Sequence, residues 1–167
     1  MRYKICLLFL LCNISAYSEV GDRHFEIDGG FSFCAPAGWE FKDFPGMKFQ
    51  IAIGPKADSF SPNINIVDEA NNASLESYAE ESIKALNTAF EQFKLVRREK
   101  FLTDSKILGE KITTNSLQRN KLLRQTFYIF LGSKGKFLVF TCSCLAENGE
   151  KLDTVFEESL KTFDYIK

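Results

Sequence analysis

The chain has 167 residues, 45% hydrophobic and 26% charged, with 17 phenylalanines, one tryptophan and one histidine. Those fractions are ordinary for globular proteins and exclude a disordered chain. A formal net charge of −1 without a long basic run excludes nucleic-acid binding through bulk charge.

Arg2 and Lys4 precede an apolar run from Ile5 to Leu11, and a polar stretch then ends in Ala16-Tyr17-Ser18. A basic start, a short apolar middle and small residues before a cleavage point are the regions of a secretory signal peptide. Residues 1–18 are therefore expected to be removed, leaving residues 19–167 as one domain of a periplasmic or secreted protein. The apolar run is far short of the roughly 20 residues that a membrane span needs. Cys12 offers a lipid anchor instead, but Leu11 stands before it where a lipoprotein signal carries a small residue.

Further along, residues 24–28 alternate apolar and polar side chains and Gly29-Gly30 turns the chain. Phe31, Phe33 and Ala35 then alternate up to Pro36 and Gly38, which reads as a hairpin. Phe49, Ile51 and Ile53 form a strand stopped by Gly54-Pro55, and Ile64 and Ile66 form another. The period then changes. Leu75, Tyr78, Ala79, Ser82, Leu86, Ala89, Phe90 and Phe93 lie on one helical stripe. Ser74 is its N-cap, and Glu76, Glu80 and Glu81 suit the N-terminal half. Strands are expected from Leu95 to Phe101, Lys106 to Thr114, Leu122 to Leu131 and Phe137 to Leu145, with Gly132-Ser133-Lys134-Gly135 turning between the last two. Residues 126–131 and 137–140 are apolar at both parities, which places them centrally, buried on both faces. Leu152, Val155, Phe156, Ser159, Leu160 and Phe163 mark a C-terminal amphipathic helix. Strands, helix, strands, helix, joined by short turns, predict an α+β sandwich on a largely antiparallel sheet.

Several pieces form an ordered set: Phe31-Ser32-Phe33-Cys34-Ala35-Pro36-Ala37-Gly38-Trp39 with its Pro-x-Gly-Trp close, Ser74-Leu75-Glu76-Ser77-Tyr78 and Gly109. Gln125-Thr126-Phe127-Tyr128, Gly135-Lys136-Phe137-Leu138-Val139-Phe140-Thr141 and Phe156-x-x-x-Leu160-x-x-Phe163 follow. Their order resembles the PsbP/Mog-like family, which includes the photosystem subunit PsbP, the Ran-binding protein Mog and DcrB-like exported bacterial proteins. The resemblance implies an α/β/α sandwich around an antiparallel sheet, and an accessory or binding role without catalytic activity. The sequence lacks the long N-terminal segment of plant PsbP, and an export signal separates it from a nuclear Ran partner. Its task therefore does not follow from its fold.

Cys142 and Cys144, two apart on a strand, share a face and are poorly placed to bond to each other. If a disulfide forms, it joins Cys34 to one of them; otherwise the three are thiols lining a core. A metal centre would need further soft ligands, and the chain has only His24 and no Cys-x-x-Cys. His24 is equally the only imidazole base for a nucleophile. The chain has no Gly-x-Ser-x-Gly elbow, phosphate loop or His-Glu-x-x-His, so no catalytic residue, metal or cofactor is assigned. Asp68-Glu69 could help hold a cation but lacks regularly spaced partners. Glu80 with Lys84, and Glu157 with Lys161, have the order of exposed helix pairs.

Arg119, Lys121 and Arg124 form a basic cluster at a hairpin tip, suited to an acidic partner or a lipid head group. Trp39 to Met47 carries three aromatics and a methionine in a segment that Asp43-Phe44-Pro45-Gly46 makes a loop. Trp39 should fold back onto the sheet, whereas Phe41, Phe44 and Met47, with Arg119 and Lys121, are the candidate partner-binding residues. The expected function is that of an exported, non-enzymatic accessory or binding protein of the cell envelope. It would act through an interface with another envelope protein, and peripheral membrane association is compatible with this. A small-ligand or ion carrier with a cleft between helix and sheet is the alternative, and an uncharacterised hydrolase the second alternative.

Overall fold

Alternating apolar residues set the strands, and the faces they bury set the layers. The computed structural model describes residues 19–56, 59–132 and 135–166. The expected signal segment with Cys12, and Ser133-Lys134 of the expected turn, lie outside these residues. The elements are β1 (Val20–Glu26), β2 (Phe31–Pro36), β3 (Glu40–Lys42), β4 (Ile51–Ile53), β5 (Asn63–Ala70), α1 (Leu75–Ala89), β6 (Glu91–Leu102), β7 (Leu108–Gln118), β8 (Lys121–Leu131), β9 (Lys136–Leu145), α2 (Gly149–Lys161) and β10 (Asp164–Tyr165).

Every strand pairing is antiparallel, but the strands divide into two sheets rather than the single one expected. The larger has seven strands in the order β3-β4-β5-β9-β8-β7-β6, and the smaller has the order β1-β2-β10. β8 and β9 occupy the interior of the large sheet, as their two-sided apolar runs predict. One face of that sheet carries α1 over Ile112, Phe127, Ile129, Phe137 and Val139. The opposite face carries α2 and the small sheet over an aromatic core that includes Phe31, Phe33, Phe130, Phe140, Phe156 and Phe163. The architecture is α+β, with helices on both faces of the main sheet.

Ser74 caps α1, its hydroxyl accepting from the Ser77 amide at 3.1 Å. Tyr78 stacks on Phe137 at 4.2 Å between centroids and donates its hydroxyl to Glu69 at 2.6 Å, anchoring the first turn to the sheet. The helix ends at Ala89, short of the expected Phe93: Phe90 is extended, Gln92 is left-handed at φ 50°, and Glu91 already begins β6. The periodicity continues, but pairing of β6 with β7 overrides it. β6 is an edge strand, interrupted by irregular register and charged along its length, features that discourage pairing with other chains. Gly109 in β7 lies under the ring of Phe130, where a Cβ would come within 2.7 Å of ring carbon, so the close approach requires glycine.

α2 is tied to β2 by main-chain and side-chain bonds together. The Ser159 hydroxyl donates to the Cys34 carbonyl at 2.6 Å, and the Cys34 amide donates to Thr162 Oγ1 at 2.8 Å. Beneath its outer half, Lys111 reaches Glu157 at 2.6 Å and Glu99 at 3.1 Å, while Arg124 clasps Asp153. Burial of Lys111 works against its charge, but the two carboxylates outweigh it and hold its pKa above the usual lysine range.

Candidate functional site

The register places the connections at two opposite ends of the large sheet. Ala70↔Lys136, Leu131↔Phe137 and Leu102↔Leu108 pair at one end, here the loop end; the connection from Lys42 to Ile51 leaves the sheet partway along and approaches that end through the Lys48–Asp68 pair. Glu40↔Ile53, Asn63↔Ser143, Leu123↔Leu145 and Gln118↔Lys121 pair at the other, the tip end. The 11 residues of β8 separate the two by about 35 Å.

The segment from Trp39 to Met47 is divided by this geometry. Glu40–Lys42 is a short strand rather than loop, pairing with β4. Phe41 therefore leaves the set of candidate partner-binding residues: it stacks on His24 at 3.8 Å and meets Phe33 edge-on, packed against the aromatic core. Trp39 folds back as expected, edge-on to Phe156 at 5.9 Å. Phe44 remains 42% exposed on the loop, and Met47 is half-buried beside it in sequence, its amide donating to the Phe44 carbonyl at 3.1 Å.

Phe44 is not alone at the loop end. The turn after β1 carries Ile27, 72% exposed, and Phe31 beyond that turn packs edge-on to Phe49 at 5.3 Å, bringing the two connections together. Leu102 and Leu108 pair across β6 and β7 and are both exposed, as is Leu131 at the end of β8. The sequence pattern did not single these four out. Their signal was weak: each is an apolar residue at a strand end or turn, where periodicity gives no guide to cover.

One acid at this end is doubly paired. Asp68 accepts from Lys48 at 2.5 Å and Lys136 at 2.8 Å, and these bonds, that of Lys136 foremost, hold its carboxyl below the usual range. Asp68 and Glu69 lie within β5, and with Glu69 bonded to Tyr78 neither acid stands free at a strand end.

Arg119 and Lys121 lie at the tip end and do not share a surface with Phe44. Arg119 and Asn120 form the two-residue turn between β7 and β8, both with positive φ (48° and 61°), and are exposed. Lys121 donates to Ser59, and Arg124 is held by Asp153. The basic cluster is thus divided between one exposed tip residue and two anchored ones.

His24 bonds Glu26 at 2.9 Å as well as stacking on Phe41, so it is built into the β1 face. The bridge considered from Cys34 is not formed. Cys34, Cys142 and Cys144 are free and buried. Cys142 and Cys144 lie in the aromatic core with Phe33 and Ala35, and Cys34 alternates with those residues on β2 and stands outside that cluster. Burial pushes the Cys144 thiol up to about 12 and also holds that of Cys142 well above the usual thiol range, so neither is a thiolate nucleophile at neutral pH. No helix among the described residues is long and apolar enough to cross a membrane.

No protein-family model matches the chain, and no curated protein matches it in sequence. Among solved structures it is similar to cyanobacterial PsbP (CyanoP) from Synechocystis sp. PCC 6803, with a TM-score of 0.64 at 14% identity over 92% of this chain and 96% of that one. It is also similar to LpqN of Mycobacterium tuberculosis, described as involved in cell envelope biogenesis, with a TM-score of 0.61 at 10% identity over 80% and 81% of the two chains. A protein of unknown function from Pseudomonas aeruginosa, PA94, superposes with a TM-score of 0.58 at 13% identity over 84% and 94%. The chain has the PsbP-like fold, as the resemblance read from its motifs implies.

Proposed function

We propose that this chain is an exported, non-enzymatic accessory or binding protein of the cell envelope, and that it works through a protein interface at its loop end. The observation that carries this reading is a row of exposed apolar side chains along one end of the main sheet, with Leu102, Leu108 and Leu131 on adjacent strands, Phe44 beyond the opposite edge strand, and Ile27 in the turn after β1. Apolar groups grouped on a surface mark contact sites more often than isolated ones do. Asp68 there is paired with both Lys48 and Lys136, and removing paired charges from water is less costly than removing free ones. The engaged state of His24 and the suppressed thiols of Cys142 and Cys144 support a role without nucleophilic chemistry. The signal-like residues 1–18 and the likeness to LpqN support the compartment.

Phe44 and Met47 belong to the proposed interface, whereas Arg119 and Lys121 lie too far from it to contribute to the same contact. Affinity capture with the wild-type chain, Phe44→Ser, Leu131→Ser and Arg119→Glu tests this. The two loop-end variants should lose an envelope partner that Arg119→Glu retains. Equal capture by all four would remove the basis of the proposal.

A further inference from the structure

The tip end holds a feature of a different kind. β9 ends at Leu145, and the chain passes through a single 3-10 turn (Ala146–Asn148) into α2. This route carries Asn148, Lys151 and Leu152 over a cavity of about 200 Å³ whose other walls include Trp39, Phe60 and Cys144. The indole of Trp39 is fixed in place. It meets Phe156 edge-on, and Gly54 lies so close beneath it that a Cβ there would stand 2.5 Å from the ring. Lys121 bonds Ser59 and so restrains the wall at Phe60. Trp39 is also the only tryptophan of the chain.

The cavity has an apolar body and a polar mouth. Cys144 is buried in its floor, and burial, with Asp153 adding to it, keeps that thiol neutral, up to a pKa of about 12. At the mouth, the Asn148 side chain does not cap α2, and Lys151 is exposed and forms no ion pair among the described residues. Glu147 and Glu150 are close to Lys151 in sequence, but neither lines the cavity. Lys151 is the base that lines this cavity, and a cation beside an uncommitted amide at an apolar opening forms an asymmetric arrangement. An apolar cavity of about 150 Å³ holds a benzene ring, so this one accommodates a single ring or a short alkyl chain. Sites of this type use apolar walls for affinity and a few polar groups for orientation.

We propose that this cavity binds a small amphipathic carboxylate. Its apolar body lies against Trp39, Phe60 and Leu152, and its carboxylate meets the Lys151 ammonium and the Asn148 amide at the mouth. The site is separate from the loop-end interface and stands or falls independently of it.

Trp39 makes the test direct. The full chain is titrated with octanoate, octylammonium and octanol, following tryptophan emission and the indole N–H resonance. Octanoate should give a saturable change, with at least about fivefold tighter binding than octylammonium, the factor a partly exposed charge contact supplies. Lys151→Glu, an exposed position where the fold is not at risk, should weaken octanoate by about fivefold or more and reverse the preference. Leu152→Phe, which narrows the cavity, should weaken all three probes, with circular dichroism confirming the fold. An unsaturable response to octanoate overturns the proposal. So does binding without preference for the anion, or octanoate binding that Lys151→Glu leaves unchanged.

Discussion

The loop end and the tip end of the main sheet place large apolar residues in opposite ways. At the loop end, Phe44, Ile27 and three leucines face solvent, and Asp68 is held between Lys48 and Lys136. At the tip end, Trp39 is drawn inward over a cavity, while Lys151 stays outside without an acid among the described residues. Between the two lies an aromatic core that belongs to neither. The difference shows that the high phenylalanine content has more than one cause. Most of it fills the layer between the large sheet, the small sheet and α2, and only the residues at the ends remain available for recognition.

The core gives the largest expected effect and sets the baseline for both ends. Phe140 is fully buried and meets Phe31, Phe33, Phe130 and Phe163 edge-on. Phe140→Ala should cost about 3–5 kcal/mol in urea unfolding. Gly54→Ala acts on the tip end alone. Its methyl would displace the Trp39 ring, so about 1–3 kcal/mol of stability and the native tryptophan emission should be lost. Partner capture through Phe44 should survive in the folded fraction.

Acid acts on the loop end through Asp68. The fold depresses this carboxyl, chiefly through the bond from Lys136 and then that from Lys48. The pairing therefore stabilises the folded chain above the unfolded carboxylate value of about 4, and that contribution fades as pH falls through the lower folded value. Asp68→Asn should cost about 1 kcal/mol at neutral pH and flatten this part of the acid-unfolding profile. The smallest effect on stability is expected for Phe44→Ser, within about 0.5 kcal/mol. Loss of capture without loss of stability is what distinguishes a contact residue from a core residue.

The central strands and both helices were legible in the sequence because two-sided apolar runs and the Ser74 cap are local signals. The ends of elements were not. Phe90 and Phe93 continue the helical spacing, and only the pairing of β6 with β7 withdraws them from α1. The separate small sheet, and β3 and β10 of three and two residues, exist only through partners distant in the chain. The same cause divided the candidate site. Phe41 and Phe44 are three positions apart and look alike in sequence, yet His24 covers one and nothing among the described residues is stacked on the other. The leucines at the loop end were missed for the converse reason: whether a strand-end leucine is covered depends on where the elements packed against the sheet stop. The cavity beside Trp39 combines residues from four separate segments, and no spacing in the chain signals it.

Site-specific photocrosslinking in intact cells tests the central claim most directly, with the photoreactive residue placed at Phe44 and, in a second chain, at Asn120 on the exposed hairpin tip. The interface at the loop end predicts a discrete protein adduct from position 44 that is absent from position 120. No adduct at position 44, or the same adducts at both positions, would contradict it.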